Sequence, residues 1–313
     1  MIAVTIRDEA LHLDEHPDPV PGSGEVLIRV RAAGLNGADM LQLRGRYPAP
    51  HGAPQDIPGL ELAGEVQAVG PGTSRFDVGD RVMGIVAGGG QAELAVVHER
   101  QLMPVPQSIA WPAAGGLPEV ITTAHDALVT QAGLRAGDRL LVHGAAGGVG
   151  TAAVQLGRMI GAHVTATTRR QEHAPTLAAL GADVVLPPEG FADHAPFDVI
   201  LELVGAPNLG DNLSALALGG RIMVIGIGGG AKAELNLALV LAKRARILGS
   251  TLRARPLEEK ALTARAVEHQ VLPAIERGDV TIPVAATFAL DDAVSAYEQF
   301  QAGGKLGKIV LTS

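Results

Sequence analysis

Two adjoining stretches hold residues whose type and spacing suggest chemistry. The first is Gly144-x-x-Gly147-x-x-Gly150, set between an apolar run, Leu140-Leu141-Val142, and a helical pattern from Thr151 to about Ile160 that Gly161 should stop. Glycines in such a turn let bare backbone N–H groups approach a pyrophosphate, and the helix that follows turns its positive end toward the anion. The spacing is a variant of the strict G-x-G-x-x-G, and a glycine-rich turn before a helix also arises for structural reasons alone. What favours a dinucleotide site is the context: strand, turn, helix, then a second strand over His163–Thr168.

The second stretch closes that unit. An NAD site places Asp or Glu at the end of the second strand, to accept from the ribose 2′-hydroxyl. Here Thr167, Thr168, Arg169 and Arg170 stand there, with no acid before Glu172. Two guanidiniums beside two hydroxyls suit a 2′-phosphate and favour NADPH; the alternative is that the arginines cap the strand and point into water.

The elements around these residues set the architecture. From Thr122 onward helices and strands alternate, as a doubly wound parallel sheet requires. Strands are expected over Ala182–Leu186, Phe197–Leu203 and Gly220–Gly226, with helices near Ala174–Leu180 and Asn208–Leu218. Residues before this read instead as short strands with turn signals, a β-rich domain like a small barrel. A short helix is expected over Asn36–Tyr47. His12 and His16 stand four apart, a metal-binding spacing on a helix, but Pro17, Pro19 and Pro21 crowd them and predict surface coil over His12–Pro21. A helix over Leu257–Glu276, strand-like Thr281–Ala286, a helix over Asp291–Gln301 and a last strand, Lys308–Leu311, return to the first domain.

Composition narrows the function. The 313 residues allow about two domains. Apolar residues make up 47% but aromatics only 3%, so aliphatic side chains and alanine must fill the interior. A net charge of −8 argues against nucleic acid. The absence of cysteine removes disulfides, thiolate catalysis and cysteine-ligated zinc. MIAVTIRDEA carries charge where a signal peptide needs an apolar core, and no apolar run nears the roughly 20 residues of a membrane span, so a cytoplasmic protein is expected.

Several segments resemble, in order and with similar spacing, the zinc-free NADPH:quinone oxidoreductases of the medium-chain dehydrogenase/reductase superfamily, in the branch of the p53-inducible enzyme. They are AAGLNGADMLQLRGRYP (32–48), PGLELAGEV (58–66), FDVGDRVMGIVAGGGQAE (76–93), LPEVITTA (117–124), VHGAAGGVGTAAVQL (142–156), GSTLRARPLEEK (249–260) and GKIVL (307–311). The resemblance implies a GroES-like catalytic domain (1–118), a nested Rossmann NADPH-binding domain (119–255) and a C-terminal segment (256–313) that rejoins the catalytic domain. The active cleft is expected between the two. It further implies hydride transfer to a quinone or other conjugated carbonyl, a small-molecule substrate, and homodimers that sometimes pair into tetramers. The alternatives are an enone or enoyl-thioester reductase, or a crystallin-like NADPH-binding protein with little turnover.

Residue roles follow from the same resemblance. Tyr47 either donates to the substrate carbonyl or only shapes the pocket, and Asn36 is placed to hydrogen-bond substrate or nicotinamide ribose. Thr123 resembles a cofactor-contacting threonine. Gly147, Gly148 and Val149 should supply pyrophosphate N–H groups, with Thr168, Arg169 and Arg170 on the 2′-phosphate. Val204, Gly205, Ile225 and Gly226 should line the nucleotide crevice, and Ser250, Thr251 and Leu252 meet the carboxamide. Lys308 either reaches the cofactor or is a surface lysine. No metal is expected, because Asn36 and Leu60 stand where alcohol dehydrogenases place a ligating Cys and His. Departures are Gly147 for a phosphate-turn serine, Gln91 for a tyrosine expected to shape the cleft wall, and Gly37 for an arginine.

Overall fold

The computed structural model describes residues 1–313, which form two units: Met1–Thr122 with Leu252–Ser313, and Thr123–Thr251.

The first unit opens with a hairpin of β1 (Ile2–Arg7) and β2 (Ala10–Glu15). The coil expected over His12–Pro21 is therefore corrected at its start. Leu11 and Leu13 alternate with polar residues, the period of a strand, and His12 pairs opposite Thr5. His16 falls just past the strand, its Nε2 2.8 Å from Thr5 Oγ1. There follow β3 (Glu25–Gly34), α1 (Gly37–Leu43), β4 (Glu61–Val69), β5 (Arg81–Ile85), β6 (Leu94–His98), β7 (Leu102–Pro104), α2 (Trp111–Gly115) and α3 (Pro118–His125).

The second unit contains β8 (Arg139–Val142), α4 (Gly148–Ile160), β9 (His163–Thr167), α5 (Ala174–Leu180), β10 (Val184–Leu186), β11 (Phe197–Glu202), α6 (Leu209–Ala215), β12 (Leu216–Val224), α7 (Leu237–Lys243) and β13 (Arg246–Gly249). Its six strands run parallel in the order β10-β9-β8-β11-β12-β13. This is the doubly wound order, whose reversal between β8 and β11 opens a crevice at the strand C-termini. Leu141, Ile200 and Ile222 from neighbouring strands pack with Phe191, Phe197 and Leu213 on one face of the sheet. Each such side chain stabilises the fold by about 1.5–3 kcal/mol. The helix stop at Gly161 is as expected: it sits at φ 88°, a left-handed cap that costs glycine no Cβ clash.

The chain then returns to the first unit with α8 (Leu257–Gln270), α9 (Leu272–Glu276), β14 (Val284–Ala289), α10 (Ala293–Ala302) and β15 (Lys308–Thr312). The single helix expected over Leu257–Glu276 is two, because Pro273 cannot continue the ladder of α8. The main sheet of this unit runs β14-β15-β3-β4-β5-β7, with β6 also on β3. Val26, Ile28, Leu62, Val82, Val97 and Leu102 close its aliphatic core. Sequence-distant β15 thus lies antiparallel to β3, carrying Lys308 to the start of α1. No helix is long and apolar enough to cross a membrane.

Candidate active site

In the second unit the phosphate turn takes the form its glycines dictate. Gly147 caps α4 in extended geometry, and Thr151 N–H to Gly147 O is the first bond of the helix. The N–H groups of Gly148, Val149 and Gly150 precede that bond and have no intrahelical acceptor. Gly150 has a packing reason too: a Cβ there would lie 2.6 Å from Ala145 Cα. The turn is tied to the next strand by Ala145 N–H on Thr167 O, 2.9 Å.

Beyond β9, Thr168 is buried and its hydroxyl pairs with the backbone of Arg170. Gln171 Nε2 donates to Thr168 O. Arg169 and Arg170 are exposed, and Arg170 Nη1 lies 3.2 Å from Glu172 Oε1. Both ends of that pair are well exposed, so it is weak and open to exchange for a stronger anion.

In the loops after β11 and β12 the backbone amides turn inward. Val204 and Gly205 N–H both donate to the Glu202 carboxylate, at 2.6 and 2.8 Å. Ile225 and Gly226 N–H both donate to the Glu202 backbone carbonyl, 3.0 Å each. All four are engaged with Glu202, leaving carbonyls and side-chain surface to line a crevice. Ser250 Oγ donates to Asp126 Oδ2 at 2.6 Å, while Thr123 is buried in α3 and Thr251 is exposed.

In the first unit Asn36 caps α1 and is buried. Its Nδ2 donates to Gly34 O and Glu61 Oε1, and its Oδ1 accepts from Lys308 Nζ at 2.7 Å. Both amide donors are thus taken, so a hydrogen bond between Asn36 and substrate or ribose falls to Oδ1. The expectation for Lys308 is corrected. It is neither on the surface nor free to bind: its ammonium has three acceptors, Leu35 O, Asn36 Oδ1 and Glu61 Oε1, at 2.6–2.7 Å. Glu61 Oε2 accepts the N–H of Glu119 at the start of α3. Below them Asp39 accepts from the N–H groups of Asn36 and Gly59. Burial pushes the Asp39 carboxyl up to about 6, against the pull of those two amides and of Lys308.

Tyr47, just past α1, is half-buried. Burial raises its phenol above the usual range despite the Arg253 guanidinium 5.1 Å from its ring, so the hydroxyl stays protonated at neutral pH. Arg253, beside Leu252, donates to Ala87 O, Tyr47 O and Gln42 Oε1. Gln91 does not shape an open wall: it is fully buried, and Tyr297 donates to its Oε1. Glu61, Asp39, Arg253 and Glu202 were missed as organising residues. The sequence signal was that Asp39, Glu61 and Arg253 lie inside AAGLNGADMLQLRGRYP, PGLELAGEV and GSTLRARPLEEK.

The donor set near α1 does not suit zinc. Asn36 and Leu60 offer neither thiolate nor imidazole, the oxygens of Asn36, Glu61 and Leu35 surround an ammonium, and no group of three or more His, Asp or Glu is arranged to hold a metal ion. The second unit does suit a dinucleotide, by its strand order and by the amides at the start of α4.

A doubly wound sheet carrying such a turn, with a GroES-like unit, defines a nicotinamide-dependent oxidoreductase fold. Comparison with known proteins gives the family. Residues 22–107 match the alcohol dehydrogenase GroES-like domain, and residues 148–268 match the zinc-binding dehydrogenase family. The quinone oxidoreductase of Rattus norvegicus is 33% identical over 304 residues, 94% of this chain and 90% of that protein. The acryloyl-coenzyme A reductase of Metallosphaera sedula is 30% identical over the whole of both chains. A mycobacterial structure complexed with NADPH superposes with a TM-score of 0.88 at 28% identity, covering 100% of each chain. The chain belongs to the medium-chain dehydrogenase/reductase superfamily, with quinone oxidoreductases among its relatives.

Proposed function

We propose that this protein is a zinc-independent reductase that uses NADPH to reduce a quinone or another conjugated carbonyl. The observation that carries the cofactor choice is the exposed pair Arg169 and Arg170 at the end of β9, where no carboxylate stands to accept from a ribose 2′-hydroxyl. The amides of Gly148 and Val149 and the positive end of α4 receive the pyrophosphate; Gly147, expected to join them, instead donates its N–H to Gly144 O. Val204, Gly205, Ile225 and Gly226 form a wall of the nucleotide site, and Thr123, Ser250, Thr251 and Leu252 its nicotinamide end. Bound NADPH supplies a hydride.

The protein's own groups set what can be reduced. Without a Lewis acid to hold an alkoxide, the acceptor must delocalise the charge it gains, as a quinone or enone does. Tyr47, whose phenol is protonated at neutral pH, donates to the carbonyl oxygen. Asn36 and Lys308 act as positioning residues, through the cluster they share with Glu61. NADPH oxidation with a panel of quinones tests this reading. Turnover is expected, and none with any quinone or enone would contradict it.

A second reading, reduction of an enoyl thioester, is supported by the likeness to an acryloyl-coenzyme A reductase. Product analysis separates the two: a hydroquinone for the first, a saturated thioester for the second. For assembly we infer a homodimer. The edge strand β13 pairs with β12 on one side only, and Ile247 on it and Leu237 and Leu241 on α7 are exposed.

A further inference from the structure

We infer that Glu202 is a positioning residue for the dinucleotide site, acting through Asn212 and His143 to fix the hydroxyl of Thr167. This rests on the dinucleotide reading above. A carboxylate only accepts, and the two oxygens of Glu202 take donors from Val204 N, Gly205 N, Asn208 Nδ2 and Asn212 Nδ2. The Asn212 amide therefore turns its nitrogen to Glu202, 2.7 Å away, and its Oδ1 to His143 Nε2 at 2.8 Å. An amide oxygen cannot donate, so His143 carries its proton on Nε2. Its bare Nδ1, 3.1 Å from Thr167 Oγ1, then accepts from the threonine hydroxyl.

Each orientation follows from the one before, and the chain starts at a group with no choice. His143 is buried and stacked edge-on against Phe191 at 4.6 Å. Burial holds its imidazole below the usual range, with Glu202 and Asn212 opposing, so the ring is neutral and has one tautomer to select.

The network joins the three segments that must converge on a dinucleotide. His143 directly precedes the turn at Gly144, and its N–H donates to Leu201 O. Thr167 holds that turn through Ala145 N–H on its carbonyl, and leads into Thr168 and Arg169. Glu202 gathers the amides of the loops after β11 and β12. Through its carboxylate and its backbone carbonyl, Glu202 thereby ties turn, strand end and crevice wall together.

Nitrogen-15 NMR of the imidazoles in the full-length protein tests the orientation, with His143 assigned by loss of its signals in His143→Gln. A neutral ring protonated on Nε2 from pH 6 to 8 is expected; an Nδ1-protonated or charged ring overturns the inference. Asn212→Ala tests the positioning role, because it cuts the link and leaves the other donors on Glu202. It should mix the His143 tautomers and weaken NADPH and NADH alike by roughly three- to tenfold, the value of one lost hydrogen bond. If Asn212→Ala does not fold, Thr167→Val removes the last hydroxyl isosterically and should shift the Nδ1 resonance and weaken both cofactors. Affinities within twofold of wild type overturn the role. Equal loss of both dinucleotides separates this effect from that of the arginines, which bears on NADPH alone. A wild-type protein that bound neither would overturn the dinucleotide reading and the positioning role together, while the spectrum still decided the tautomer.

Discussion

Lys308 Nζ lies 2.6 Å from Glu61 Oε1, with 2% and 0% of the two side chains exposed. The pair joins residues 247 positions apart, on β15 and β4. Two buried charges are tolerable only when each is paired and its remaining hydrogen-bonding capacity is met, and here Asn36, Leu35 and Glu119 meet it. Removing one partner leaves the other charged and buried. Lys308→Met should cost about 3–5 kcal/mol of stability, read from denaturant midpoints, whereas Glu61→Gln with Lys308→Met should recover much of that loss. A Lys308→Met protein as stable as wild type would contradict this view of the cluster. Metal analysis bears on the same place: no stoichiometric zinc is expected, and one tightly bound zinc per chain would refute zinc independence.

Asp39 makes the same region sensitive to pH. Its carboxyl titrates near 6 in the folded protein, above the 3.8 of an unperturbed aspartate, chiefly because it is buried. The folded state thus binds the proton more tightly than the unfolded chain. The stability this contributes is fully present below about pH 3.8 and is lost as pH rises through 6. Wild type should therefore lose stability relative to Asp39→Asn between pH 4.5 and 7.5, by at most about 3 kcal/mol for a shift of this size. Urea denaturation of both proteins at the two pH values measures it. A difference that grows in favour of wild type with rising pH would reverse the sign and refute the assignment.

Tyr47→Phe separates a donor from a wall of the pocket. Loss of a hydroxyl that polarises the acceptor should lower turnover by roughly ten- to a thousand-fold while NADPH affinity holds. Unchanged turnover would leave Tyr47 with a shaping role only.

For the dimer, sedimentation of Ile247→Lys decides. A charge on the free edge of β13 should shift the protein toward monomer. A wild-type protein that sediments as a monomer would remove the inference.

Local rules made much of the second unit legible. Gly161 ended α4, Leu140-Leu141-Val142 formed β8, and alternating helices and strands made a parallel doubly wound sheet. Where local signals conflicted, the reading slipped: the prolines after His16 hid the pairing of β2, and Pro273 split a helix read as one. Of the candidate site, the backbone was legible: the strand, turn, helix and second strand around Gly144–Gly150 fold as their glycines and apolar runs predicted. Asn36 and Lys308 were picked out, but not the contacts they make within the protein. What binds them is each other and Glu61, and no spacing in the chain announces a contact across 247 residues. Glu202 was invisible for the same reason, since its role lies in the orientation of neighbours rather than in its type.

The central claim is that the end of β9 selects NADPH. A guanidinium on the 2′-phosphate should contribute about 1.5–3 kcal/mol at an exposed position. The measurement is the dissociation constant of NADPH and of NADH for wild type, Arg169→Ala and Arg170→Ala. Wild type should prefer NADPH, losing that preference as salt is raised, and at least one variant should bind NADPH roughly ten- to a hundred-fold more weakly with NADH almost unchanged. A wild-type protein that binds NADH as tightly as NADPH, or two variants that both keep the preference, would contradict it.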